Sequence, residues 1–185
     1  MITLHTERLV LRPWRESDLE PFARLNADPE VMRYLPGQLS REESETLMQR
    51  LQDHIRAHGY GLWALEERDG APLVGFVGIV HAVFEAHFTP CIEVGWRLAR
   101  HAWGKGYATE AARESLRFAF DALSQQEVLA YTVPPNLASR RVMDRIGMTH
   151  DASGDFDHPR LPPGHPLRPH VLYRLPKAAW KAPLK

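Results

Sequence analysis

The chain has 185 residues, 44% hydrophobic and 25% charged, a balance that excludes a disordered or fibrous polypeptide and suits a single domain, residues 1–185, with a sizeable core. Its 23 basic and 23 acidic side chains cancel, so no global field draws it to nucleic acid or an anionic membrane. The one cysteine, Cys91, excludes an internal disulfide. Together with charges where a secretory leader needs an apolar core, and no apolar run of spanning length, it sets the expected location as cytoplasmic.

RLVLRP, from Arg8 to Pro13, alternates apolar and charged residues and predicts a first strand. Leu19, Phe22 and Leu25 share one face of a short helix over 16–26. Ser40 with Glu43 three residues later has the form of a capping box, opening a longer helix with Leu47, Leu51 and Ile55 inward and Gly59 and Gly61 at its close. A strand from Gly61, a turn at Arg68-Asp69-Gly70 and a strand from Leu73 to Val80 predict a hairpin. CIEVGWRL, from Cys91 to Leu98, sets Ile92, Val94, Trp96 and Leu98 on one face and Cys91, Glu93, Gly95 and Arg97 on the other. After the next turn, Ala112, Leu116, Ala119, Phe120 and Leu123 recur at helical spacing. A strand over 128–133, a helix over 137–146 stopped by Gly147, and strands over 148–155 and 171–175 complete the order, with a Pro- and His-rich loop over 157–170. Hairpins early and helical crossovers late predict an α/β (α+β) fold: one central, mostly antiparallel mixed sheet flanked by helices on both faces.

The turn between the 91–98 strand and its following helix reads HAWGKGYATEA, from His101 to Ala111. Gly104 and Gly106 permit positive φ and close approach to a ligand, and the helix opened there presents unpaired N–H groups with the positive end of its dipole. This is an anion site or an ordinary tight turn. A Walker A loop is excluded because the lysine lies between the glycines. A dinucleotide fingerprint is excluded because Thr109 stands where a third glycine or alanine belongs, and because the preceding strand alternates.

GKGYATEA, from Gly104 to Ala111, and the strand EVGWRL before it resemble the acyl-coenzyme A loop of the GNAT acetyltransferase superfamily. PNLASRRVMDRIGM, from Pro135 to Met148, resembles the NxxSxxxxxxxGF segment of that superfamily's ribosomal-protein N-terminal (Rim-type) branch. The opening TERLVLRPWRESD and the late HVLYRL are similar to that branch as well. His101 departs from the usual Gln or Arg, a role that Arg100 could take over. The resemblance implies the GNAT fold and N-acetyl transfer from acetyl-CoA, a cosubstrate, to a primary amine. The acceptor class is a protein N-terminus, a small amine or polyamine, or an antibiotic. It further implies a coenzyme site formed by Trp96, Leu98, Trp103, Gly104, Lys105, Gly106, Tyr107, Ala108, Asn136 and Ser139, with Lys105 adding charge at the rim.

Acetyl transfer to an amine needs a base, a polarised thioester carbonyl and a proton for the leaving thiol. Glu93 is the candidate base; the bland alternative is a solvated Glu93–Arg97 pair. The resemblance implies a backbone N–H near Gly95 to Arg97 for the carbonyl, at a bulge that Gly95 suits by type. It also implies Ser139 as donor to the thiolate, with Met143 where other branches carry a tyrosine; as ordinary helix residues, Ser139 and Asn136 would be capping groups. Cys91 is expected to be structural. His158, His165 and His170 match no compact zinc pattern and are expected in a loop over the cleft or at the surface. The acidic run 42–45 is a solvated helix face, or an attraction for a cationic acceptor. No metal, nucleic acid or membrane partner is expected, and the state is monomer or homodimer. The rival readings are a non-catalytic acyl-CoA binder or sensor of the same fold and a purely structural protein.

Overall fold

In the computed structural model, which describes residues 2–69 and 73–181, the first strand is preceded by another. β1 (Leu4–His5) and β2 (Leu9–Arg12) form a tight antiparallel pair, closed by the Thr6 N–H donating to the Leu9 carbonyl at 3.0 Å. A 3₁₀ turn at Glu16–Asp18 leads into α1 (Leu19–Ala27), whose Leu19, Phe22 and Leu25 are buried as their spacing requires. Asp28 caps a further short helix, α2 (Pro29–Met32), with proline in its first turn. α3 (Arg41–His58) opens with the predicted capping box: the Glu43 N–H donates to Ser40 Oγ at 3.2 Å and the Ser40 N–H to Glu43 Oε2 at 2.7 Å. Its inner stripe is Ser44, Met48, Leu51 and Ile55; Leu47 lies half a face round and lines a cleft instead. Gly59, at φ +77°, ends it.

β3 (Leu62–Glu67) and β4 (Gly75–Ala82) form the expected hairpin, with β4 starting two residues later than the apolar run suggested. Gly70 of the predicted turn lies outside the described residues. β5 is Cys91–Leu98, and its helix, α4 (Tyr107–Arg117), runs on through one wide turn at Phe118–Ala122. β6 (Glu127–Thr132) and α5 (Leu137–Arg145) follow, with Gly147 at φ +90° behind the helix.

The strand predicted over 148–155 does not form as one piece. β7 (Thr149–His150) stops at a 3₁₀ turn, Ala152–Gly154, and β8 (Phe156–Asp157) starts beyond it. Asp151 accounts for the break: its carboxylate accepts the Gly154 N–H at 3.2 Å, a local bond that competes with the ladder. β9 (Pro169–Pro176) closes the chain's sheet.

Strand order is β1-β2-β3-β4-β5-β6-β9-β7, with β8 also on β9; β5–β6 is parallel and every other pairing antiparallel. Alternation sends Phe76 and Arg97 to the face covered by α1, where Phe76 meets Phe22 at 5.8 Å and Arg97 meets Asn26. Trp63, Val77 and Trp96 point to the opposite face, where Phe118 packs edge-on to Trp63 at 5.6 Å. Arg12 and Asp18, 3% and 1% exposed, form a two-bond pair at 2.7 and 2.8 Å, with Glu66 on the guanidinium Nε at 2.5 Å. That pair ties β2 to the start of α1 and to β3.

Candidate active site

β5 and β6 hold together at one register pair, Glu93 with Leu129, and then diverge. β6 finds its second partner in β9. On the other side the β4–β5 ladder is unbroken from Gly75–Leu98 to Ala82–Cys91, so the bulge expected near Gly95 is absent from this pairing. An N–H aimed at the seam arises without one. The Ala99 N–H donates to the Val74 carbonyl at 2.9 Å, which fixes the alternation: Glu93, Gly95 and Arg97 bond to β4, and the Trp96 N–H and C=O turn to the edge that β6 has left. A cavity of about 1060 Å³ fills the divergence.

One end of the cavity is the glycine turn. Gly104 and Gly106 have φ +75° and +83°, the left-handed region for which glycine is suited. Gly106 is the N-cap of α4 and no side chain caps it, so among the described residues the first-turn N–H groups have no internal partner; Gly104, Gly106, Tyr107 and Ala108 line the cavity. The turn is braced from β2's approach. Arg8 Nη1 donates to the Lys105 carbonyl at 2.9 Å, and Glu110, in the first turn of α4, accepts from the Arg8 N–H at 2.9 Å and the Thr6 hydroxyl at 2.6 Å. Trp103 is 47% exposed, with its indole N–H donated to the Leu98 carbonyl at 2.8 Å.

Two charged residues near the turn have ion-pair partners outside the cavity wall. Lys105 is directed to Glu67, 3.4 Å away, and is absent from the cavity wall. The electrostatic reason is that Glu67, at the end of β3, is the carboxylate within its reach. Arg100 faces Asp28 at 3.3 Å instead of substituting for a residue at 101, and His101 is exposed and off the wall.

Glu93 stands at the other end. Its carboxylate accepts a very short hydrogen bond from the Tyr131 hydroxyl of β6. Phe84, Phe156, His158 and His170 surround that phenol, with Phe84 edge-on at 5.6 Å and Phe156 at 5.5 Å. Burial raises the Glu93 pKa to about 7, against the lowering effects of the Tyr131 bond and of Arg160. Burial and the adjacent carboxylate push the Tyr131 phenol above its ordinary range, so it stays a donor. The Glu93–Arg97 pair weighed from sequence does not form: residues four apart on a strand lie too far apart for it, and Arg97 bonds Asn26 instead. Cys91, pushed up to about 11 by burial and then by Glu93, remains a thiol.

The 157–170 segment is not a plain surface loop. β8 pairs with β9, Arg168 ties Asp157 at 3.0 Å and the Leu161 carbonyl at 2.9 Å, and His158 stacks on Phe84 at 4.7 Å. Burial, with His170 and Arg160 nearby, lowers His158 to about 4. Among the described residues no three His, Cys, Asp or Glu side chains converge as a metal site.

On α5, Asn136 is the N-cap, accepting the Ser139 N–H at 3.2 Å. Its amide donates to Ser139 Oγ and Thr132 Oγ1, each at 3.0 Å. Ser139 Oγ therefore accepts from within the protein and keeps its own proton to donate. Asn136, Ser139 and the buried Met143 all line the cavity. Glu93, Trp96, Leu98, Trp103, Gly104, Gly106, Tyr107, Ala108, Asn136 and Ser139 thus share one cleft.

A family model described as an acetyltransferase (GNAT) domain matches residues 8–149, spanning the glycine turn, the open β5 edge and α5. The chain belongs to the GNAT acetyltransferase family. It is 33% identical over 194 aligned residues to the FsC-acetyl coenzyme A-N(2)-transacetylase of Aspergillus fumigatus, covering 96% of this chain and 77% of that one. A GNAT-family acetyltransferase from Bacillus anthracis superposes with a TM-score of 0.79 at 25% identity, over 96% of this chain and 99% of the other. The ribosomal-protein-S5-alanine acetyltransferase of Vibrio fischeri has a TM-score of 0.74 at 18% identity, over 98% and 100% of the two chains, a likeness of fold alone.

Two features of this GNAT site escaped the sequence. Tyr131 reads there as one more strand aromatic; the Glu93–Leu129 register puts it two residues further along β6, on the same face as Glu93. Arg8 reads as a strand's first residue, and nothing local signals that it reaches Lys105, 97 positions away.

Proposed function

We propose that this GNAT protein transfers the acetyl group of acetyl-CoA directly to a primary amine. The observation that carries the reading is the continuity of one cavity from the uncapped N–H groups at Gly104–Ala108, past the outward Trp96 N–H, to Glu93. The residues fit an acyl-coenzyme A. Uncapped first-turn amides suit a diphosphate, and an added Cβ at Gly104 would meet nothing within 4 Å, so the approach is open. The name of the Aspergillus relative, an acetyl-CoA N(2)-transacetylase, supports a nitrogen acceptor.

When bound, acetyl-CoA supplies an acyl group activated as a thioester. Glu93, with a pKa near neutrality, takes the proton of the attacking amine, directly or through water, and Tyr131 holds that carboxylate in place. The Trp96 N–H donates to the carbonyl oxygen as charge develops there. The amine nitrogen forms the new C–N bond and the C–S bond breaks; the Ser139 hydroxyl donates a hydrogen bond to the departing thiolate, and in the net reaction the proton given up by the amine ends on that sulfur. Cys91 stays outside the chemistry.

Calorimetry with acetyl-CoA tests the reading, wild type beside Gly106→Val. A β-branched side chain at φ +83° strains the turn and places its Cβ 3.5 Å from Arg8 Nη2. Binding by the wild type that weakens at least tenfold in a variant whose cooperative unfolding shows it still folded is the expected result. An absence of binding by the wild type would overturn it.

A further inference from the structure

Arg97 is a cation set into the acceptor side of the cleft without a counterion. Its Nη1 donates to the Asn26 side-chain oxygen at 2.6 Å, and its guanidinium lies 5.1 Å from the Phe76 ring centroid. Among the described residues no carboxylate comes within 4.0 Å of it. Leu47, Leu51, Leu62 and Phe76 line the cavity around it. Burial lowers its pKa to about 10, so it stays charged at neutral pH and bears a desolvation cost that one neutral amide offsets in part. Of the acids lining the cavity, Glu93 holds Tyr131 and Glu30 is exposed. Between Glu93 and Arg97 the strand carries Gly95, where an added Cβ would meet nothing closer than 3.7 Å, so the floor between the carboxylate and the guanidinium is open.

We propose that the acceptor is an amine bearing its own carboxylate, a free amino acid, whose carboxylate pairs with Arg97 while its amine lies over Gly95 beside Glu93. This deepens the acetyltransferase reading and rests on it. Two residues of strand separate the floor at Gly95 from Arg97, about 7 Å. A hydrogen bond plus one amino acid's amine-to-carboxylate span covers that length. The pair completes a charge that no carboxylate among the described residues compensates, and it discriminates: an uncharged isostere leaves the half-buried guanidinium with no counterion. Arg33 and Arg160 also line the cavity and add to its attraction for an anion.

The test measures thiol release from acetyl-CoA with the free L-amino acids and ω-amino acids, each beside its carboxamide. In the wild type, kcat/KM for the best acid should exceed that for its amide by at least about 30-fold, the lower range for truncating a buried charge pair. The ratio should fall toward one in Arg97→Gln. It should fall likewise in Asn26→Asp, which places a carboxylate against the guanidinium and neutralises it without removing it. Arg97→Lys should keep part of the preference, and unfolding temperatures establish that each variant is folded. Amides accepted as well as acids, acid preference surviving both neutralising variants, or acceptance of carboxylate-free amines alone would overturn the proposal. Acetyl-CoA binding is measured in parallel: a protein that binds it but acetylates no acid sinks the Arg97 assignment alone, whereas one that does not bind it sinks the parent reading.

Discussion

Glu93 carries the sharpest consequence of any single side chain. The fold binds its proton more tightly than the unfolded chain does, because its pKa is raised from 4.5 to about 7. The stability this contributes is present in full below pH 4.5 and is lost as pH rises through about 7. Glu93→Gln should therefore be the more stable protein above pH 7, by at most about 3 kcal/mol, in thermal or urea unfolding. The same substitution should cut kcat/KM about 100-fold or more if Glu93 is the base. Wild-type kcat/KM should rise with pH through about 7 and then level. Tyr131→Phe removes the one hydrogen bond that lowers the Glu93 pKa, so that limb should move to higher pH. A limb that stays put in this variant, or persists in Glu93→Gln, would assign the titration to another group. Sequence alternation was enough to find Glu93 and its face. The phenol that holds it was not legible, because its approach depends on a parallel register that brings together residues 38 positions apart in the chain.

The elements show where local signals suffice and where they fail. α3 announced both ends, Ser40 with Glu43 at one and Gly59 at the other, because caps are chemistry between near neighbours. The turn at Gly104–Gly106 and the helix after it were legible for the same reason. The 148–155 strand failed because Asp151 satisfied a backbone N–H three residues on, which an apolar pattern does not reveal. The Lys105 contact with Glu67 was not legible because that partner comes from β3. Buried charge at an element junction is as hard to foresee: Arg12 and Asp18 look like ordinary surface residues until β2 and the start of α1 enclose them. Asp18→Asn leaves the guanidinium with less compensation and should cost about 3 kcal/mol in urea unfolding, with little direct effect on the cleft some elements away. A loss under 1 kcal/mol would show that Glu66 alone suffices.

For the whole molecule, the sheet is two runs of strands joined at one register pair, with the cleft between them. A ligand lying in that seam touches β5, α4 and α5 together, so it binds the folded state and not the unfolded one. Acetyl-CoA at 100 times its dissociation constant should add about 2.7 kcal/mol, a rise of several degrees in unfolding temperature that Gly106→Val should cut to about half or less. No shift at saturating ligand would mean that the folded protein does not bind it. The seam also bears on how the protein stays single-minded about its partners. Unpaired strand backbone invites a neighbouring chain to add to it, and the outermost strands here, β1 and β7, offer two residues each, too short a template for that. The longer unpaired row runs past Trp96, recessed between β5 and β6 where a folded neighbour cannot lay down a strand. Among the described residues this longer open edge faces inward, open to a thin ligand rather than to another strand.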